Sequence, residues 1–345
     1  MSAWIILLVG AAYLALLFGV AWMAERMSHS GRSLVRNPYV YALSLAVYCT
    51  AWTFYGSVGK ASADGLNFLA IYLGPSLAAP LWFVVLRKLI LICRHQRISS
   101  IADFISARYG KSAFLGGLVT SMAVVGIIPY ISLQLKAISF SYDILSQGNS
   151  ISGQVQGSYF YQDTAFYVAV VLAVFTIFFG TRHLDANDRH EGLVAAVAFE
   201  SLVKLLAFVA VGLFVTYEVY HGVGDLFANA RANEHLARLM DWKQSVNPWD
   251  WCWLMVISMF AVLFLPRQFH MAVVENTDPG HVDKATWLFP LYLLIINLFV
   301  LPVAFAGHLH FHASGVDADT YVLGLPLLYG KQALALLVFI GGLSA

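Results

Sequence analysis

Charge is what this sequence has least of. Lys, Arg, Asp and Glu make up 11% of its 345 residues, against about 25% in soluble globular domains. That deficit argues against a chain with a fully solvated surface. The formal net charge of +1 says little by itself, and basic residues beside aromatics occur at any cytoplasmic membrane interface, so nucleic acid is not implied. Cysteine is nearly missing. Cys49, Cys93 and Cys252 lie in or beside apolar stretches without ligand spacing, so they read as small apolar residues rather than a disulfide framework or a zinc site. No glycine-rich loop ends in Gly-Lys-Ser/Thr and no His-Glu-x-x-His occurs, so the familiar phosphate-loop and zinc-protease chemistries have no motif here. The start, Met1-Ser2-Ala3, has no basic side chain, and no cleavage motif precedes Glu25–Arg26. The first apolar stretch therefore reads as a retained helix, not a signal peptide.

What is present in excess is apolar sequence, 60% of the chain. It falls into nine blocks, most about 17–25 residues long, the length that spans a bilayer's hydrocarbon core as helix. They run Trp4–Met23, Tyr39–Val58, Leu66–Leu91, Ala113–Ser141, Thr164–Gly180, Leu193–Tyr217, Trp251–Val274, Thr286–Gly307 and Gln332–Ala345. Lipid offers backbone groups no hydrogen bonds, so the blocks must be helical, and the two-residue alternation of a membrane barrel is missing. The expectation is an all-α polytopic membrane protein. The ninth block is short, so its span is expected to continue past Ala345.

Alternate loops differ in basic residues. Thirteen Lys and Arg fall in 25–38, 87–111, 181–191 and 267–284, and four in 59–65, 146–162, 220–249 and 309–328. The positive-inside rule places the first set in the cytoplasm and the N terminus outside. The outer 220–249 connection has the makings of a short interfacial helix over Leu226–Met240 or of a plain solvated loop. The inner loop with His183, Asp185, Asp188, Arg189, His190 and Glu191 is dense in polar groups that hydrogen bonding between loops accounts for. The cluster His308, His310 and His312 reads as a polar helix end rather than a metal site.

Polar groups at membrane depth are the candidate functional residues. Glu200 and Lys204 stand four apart on the sixth block, where they can pair, either as a packing element or as part of a solute or ion path. The fourth block carries Pro129, Tyr130, Gln134 and Lys136: the proline permits a bend, and Lys136 can snorkel towards the outer surface. The second block is rich in small and hydroxylated residues. It reads either as a continuous helix with a small-residue packing face or as one broken near Cys49–Thr53, with carbonyls freed to hold a cation or polar solute. Pro266 suggests a kink or break in the seventh block, and Arg267 and His270 beyond it either point into a cytoplasmic vestibule, where the Phe264–Arg267 region could reach a solute, or mark the membrane edge.

Four stretches, YVYALSLAVYCTAWTFYGSVG (Tyr39–Gly59), ISSIADFISARYG (Ile98–Gly110), FGTRHLDANDRHEGLVAAVAFESLVK (Phe179–Lys204) and LFLPRQFHMAVVE (Leu263–Glu275), resemble the sodium:solute symporter family. Within it, they are most similar to the transporter-like membrane domain that opens certain bacterial sensor histidine kinases. The resemblance implies an inverted five-plus-five helix repeat with an extra N-terminal helix: a first repeat over 39–219 and the start of a second over 250–345, left incomplete. It also implies an ion site near Val47 and Thr50, with solute contacts at Ala51, Trp52, Thr53, Tyr130 and Gln134. Cys49 stands where proline-transporting relatives carry an aspartate. The coupling ion is then sodium or a proton, the solute a small polar molecule such as an amino acid, and the location the bacterial inner membrane. No catalytic residue and no metal ligand is expected in the chain. The alternative is a sensory input domain coupled to a cytoplasmic kinase module.

The orientation is testable. An epitope tag ahead of Met1 is expected to be lost when protease is added to spheroplasts, and one inserted after Ser33 to survive until the cells are lysed.

Overall fold

The computed structural model describes residues 1–147, 164–175, 190–311 and 315–345. His183, Asp185, Asp188 and Arg189 of the inner loop, the end of the fifth apolar block, most of the 146–162 connection and His312 lie outside them. The structure is 86% helical, with no strand among the described residues. Five helical stretches there are long and apolar enough to cross a membrane: Ala3–His29, Trp52–Phe83, Ala113–Ser146, Glu191–Val219 and His281–Phe311. A sixth span is made by Pro248–Phe264 and Pro266–Val274 together, bent by 50°. Shorter apolar helices cover Pro38–Tyr48, Ala318–Leu328 and Gln332–Leu343. The chain is a multi-pass, all-α membrane protein.

The first helix buries Ile6, Gly10, Tyr13, Leu17 and Ala24, a single stripe at helical spacing. Its other faces leave Trp4, Leu8 and Trp22 exposed, as a lipid-facing helix should. The stripe packs on Glu191–Leu213 and Gln332–Leu343, and the Tyr13 hydroxyl lies 2.5 Å from Ser344 Oγ. Trp22 sits under the Arg26 guanidinium, 5.2 Å from the ring centre. Trp242, Trp249 and Trp253 are exposed near the other end of the bundle. Both suit the aromatic and basic anchors that membrane interfaces favour.

The core is strongly aromatic. Tyr41, Phe54, Tyr55, Phe68, Trp82, Phe208, Phe269, Phe289 and Phe305 are fully buried. With lipid no more polar than leucine, such close packing rather than water exclusion holds helices together. Small residues let backbones approach. Ala70–Ala78 packs along Pro248–Phe264, and a Cβ on Gly74 would lie 2.2 Å from Ser258 Oγ and 2.3 Å from the Met255 carbonyl.

The 220–249 connection is neither a loop nor one interfacial helix. It forms Val223–Ala232, Glu234–Met240 and Trp242–Ser245. The first two are separated at Asn233, whose side chain accepts from the His235 and Leu236 amides and starts the second. Leu226, Ala230 and Leu236 are fully buried in the core, so the pair packs on protein rather than on a lipid surface. Its anchor is Gly65, the turn after Ser57–Asp64, with φ of +57°. A Cβ there would sit 2.2 Å from the Leu239 carbonyl.

Two costs therefore converge at Gly65: left-handed strain for any L side chain and a backbone clash. Gly65→Ala is expected to destabilise the protein in detergent by about 1–3 kcal/mol, read as a lower melting temperature. Gly110→Ala has a comparable φ of +68° with nothing within 4 Å of the added Cβ, and its loss should be smaller.

Candidate functional site

The second apolar block is broken. Helix Pro38–Ser44 tightens into a 3-10 turn over Leu45–Tyr48. Cys49 is extended, with ψ of 105°, and helix resumes at Ala51 through a π-helical turn, Trp52–Gly56. A break at this depth strips backbone groups of their intrahelical partners, and each unpaired group in hydrocarbon costs several kcal/mol. Two side chains from other spans meet that demand. Lys204 Nζ donates to the Cys49 carbonyl at 2.6 Å, and the Ala51 amide donates to Gln134 Oε1 at 3.0 Å. Lys204 is buried, 3% exposed.

The pairing expected between Glu200 and Lys204 is replaced by this contact. The ion pairs among the described residues do not include Glu200 with Lys204. The ammonium is turned away to the carbonyl at the break. Helical spacing made the two side chains neighbours, but the broken helix across the interface offered a partner that sequence spacing cannot show.

The structure brings some of the expected solute residues together. Ala51 and Gln134 touch directly. Thr50 and Thr53 are buried, and the Thr53 carbonyl accepts from Ser57 Oγ at 2.6 Å. Trp52 is half-buried, its ring 6.4 Å from that of Tyr72. Tyr130, one helical turn before Gln134, faces Arg267 instead. The guanidinium lies 4.2 Å from the ring centre and donates to the hydroxyl, which combines a cation–π contact with a hydrogen bond. Val47 stands apart, packed against a small cluster of Val35, Val194 and Met271. Arg267 is thus part of the same neighbourhood.

Arg267 comes just after the second break. Helix Pro248–Phe264 ends at Leu265, which is extended with ψ of 133°, the conformation that proline favours in the residue before it. Pro266–Phe269 then restarts and passes into a π-helical turn, His270–Val274. At its end Glu275 is buried, 3% exposed. His190 Nδ1 lies 3.1 Å and His270 Nε2 3.0 Å from one of its carboxylate oxygens, and the His190 amide donates to the other at 3.2 Å. Burial pushes the Glu275 carboxyl up, but the hydrogen bonds from His270 and His190 outweigh it and hold the carboxyl below the ordinary range. Nearby, Arg94 donates to the Asn276 carbonyl at 2.6 Å. The three donor atoms of His190, His270 and Glu275 lie within 4.8 Å of one another, close enough to share a metal ion. His190 and His270 stand out in the sequence as inner polar residues, but nothing there joins them to Glu275.

An open groove of about 800 Å³ lies elsewhere, between the C-terminal end of Glu191–Val219 and the start of Gln332–Leu343. The ion pair Glu218–Lys331 crosses it. None of the expected solute residues lines it, and its openness to one side makes it a surface feature rather than an enclosed binding site.

Broken spans whose freed backbone groups are held by polar side chains from neighbouring spans belong to membrane proteins that handle polar cargo at mid-depth. No family model matches the chain. It is similar to the uncharacterized symporter YhjB of Bacillus subtilis (strain 168), 24% identical over 339 residues. The match takes in 95% of this chain and 64% of that protein, so the chain spans a little under two thirds of its relative's length.

Gln134 should matter to stability through its acceptor alone. Gln134→Leu leaves the Ala51 amide unpaired and is expected to cost about 1–3 kcal/mol. Gln134→Glu keeps an acceptor and, at a pH low enough to protonate its carboxyl, should melt above Gln134→Leu. Thermal unfolding of the purified variants in detergent checks both.

Proposed function

We propose that the chain forms the transport unit of a secondary transporter that carries a small polar solute, an amino acid being the leading class, across a bacterial inner membrane. The observation that carries this reading is the break at Cys49–Thr50, where the second block's backbone turns to Lys204 and Gln134 instead of to itself. A span meant only to anchor would not give up these hydrogen bonds inside lipid. The similarity to a protein named as a symporter supports the same class.

On this reading the solute sits beside the break, among Ala51, Trp52, Thr53 and Gln134, with Tyr130 and Arg267 on the cytoplasmic side. Solute polar groups compete for the Ala51 amide and the Gln134 amide group. The Gln134 Nε2 is buried and unpartnered among the described residues, so a hydrogen-bond acceptor on the solute satisfies it. Access alternates as the two halves of the broken spans rock around this point, and the Arg267–Tyr130 contact forms part of the barrier on one side. The histidine-kinase input reading leans chiefly on the likeness over Phe179–Lys204, of which 179–189 lie outside the described residues. A sensor of this kind would use the same solute position without net flux.

The test is uptake by the full-length protein in proteoliposomes, using labelled amino acids under imposed sodium and proton gradients in separate assays. Saturable uptake is expected, with Gln134→Leu and Trp52→Ala lowering it tenfold or more, about 1.4 kcal/mol. Saturable binding without uptake in any gradient would replace transport with sensing. Uptake indifferent to both substitutions would remove the solute from this position.

A further inference from the structure

The Cys49 carbonyl closes the half-helix Pro38–Tyr48. The C-terminal end of a helix carries a partial negative charge, and in a broken membrane span such an end, with its freed carbonyls, is where a monovalent cation binds. Here the position is taken. Lys204 Nζ stands 2.6 Å from the Cys49 oxygen, a close hydrogen-bond contact. The described residues give this ammonium no carboxylate partner and no second hydrogen-bond acceptor. Glu200, one turn away on the same helix, acts on it through space without pairing. Arg267, across the interface, is close enough to act on both Lys204 and Cys49 electrostatically. A free sodium ion brought to the Cys49 carbonyl would therefore meet one positive charge already bound there and a second nearby.

We propose that Lys204 is a tethered cation: its ammonium fills the cation seat of the broken span, so the chain works without binding sodium. The inference rests on the transport reading for its meaning but not for its measurement. A soluble ion must bind and leave in every cycle. A lysine anchored on the Glu191–Leu213 helix supplies the same charge to the Cys49 carbonyl and remains with the protein. The chain's charge at the break is then set by its own side chain rather than by the ion gradient outside. Removing the side chain leaves a helix end with a free carbonyl and no cation, which an external ion of similar charge can take up.

The experiment uses the purified full-length protein in detergent, with radioactive sodium as probe and melting temperature in sodium against N-methylglucamine as a second readout. Wild type is expected to show no saturable sodium binding and the same melting temperature in both salts. Lys204→Ala is expected to gain saturable sodium binding and to melt higher in sodium. Lys204→Arg, which keeps a cation on the same helix, should behave as wild type. Saturable sodium binding by wild type overturns the proposal, as does a Lys204→Ala protein that folds yet remains indifferent to sodium. Should Lys204→Ala fail to fold, wild type and Lys204→Arg still decide, since sodium binding by either overturns the idea. The sodium measurements involve no solute, so absence of uptake by wild type would count against the transport reading and leave this one standing.

Discussion

A backbone carbonyl in hydrocarbon needs a donor, and the one at Cys49 finds it on another span. The Lys204–Cys49 hydrogen bond is the contact on which the arrangement of the central helices turns. Without it the second segment would hold an orphaned carbonyl and the Glu191–Leu213 helix a buried ammonium with no acceptor. Each is costly alone and tolerable together, because removing one partner of a buried charged contact leaves the other unsolvated. Gln134 plays the matching part for the Ala51 amide. The broken segment is thereby fastened to two spans that are far apart in sequence, and the aromatic core closes around that joint, with Phe54 against Phe208 and Tyr55 against Phe140.

The second break obeys the same logic with different chemistry. Proline at 266 favours the extended Leu265 that interrupts the helix, and the residues beyond it are secured from other elements: Arg267 by Tyr130, and Glu275 by His190 as well as by its near neighbour His270. Both breaks run into π-helical turns, Trp52–Gly56 and His270–Val274. Such turns are rare and tend to accompany functional positions. Here each eases the chain back into regular structure after an interruption.

Much of this architecture is legible in the sequence. The apolar blocks define the class, because span length and lipid's lack of hydrogen bonds leave only helices. Pro266 announces its break through a local steric rule. The small and hydroxylated residues around Cys49 allow a break without requiring one. Partnership across the bundle is what sequence spacing conceals. Helical spacing offers Lys204 a neighbour at Glu200, whereas its real acceptor lies 155 positions away. Glu275 and His190 are 85 apart. The 220–249 connection reads as an interfacial helix or a solvated loop because its apolar residues alternate with Arg231, Glu234, His235 and Arg238, yet Leu226, Ala230 and Leu236 are spaced to meet a protein surface that only the fold supplies. Gly65 falls in the 59–65 connection that separates two apolar blocks, but its close approach to the Leu239 carbonyl is a contact across the fold that spacing does not show.

The interruption at Cys49–Thr50 has a mechanical side. An unbroken rod from Pro38 to Asp64 would pass any twist or tilt from one end to the other. As built, Pro38–Ser44 lies against His281–Asn297 and Glu191–Leu213, whereas Ser57–Asp64 lies against Val300–Phe311. Each short rod is packed against its own neighbours, and the two meet at a short joint. The stiffness of that joint is set by two side-chain hydrogen bonds rather than by a continuous ladder, so a change in either bond alters how far one half of the segment can swing while the other stays in place.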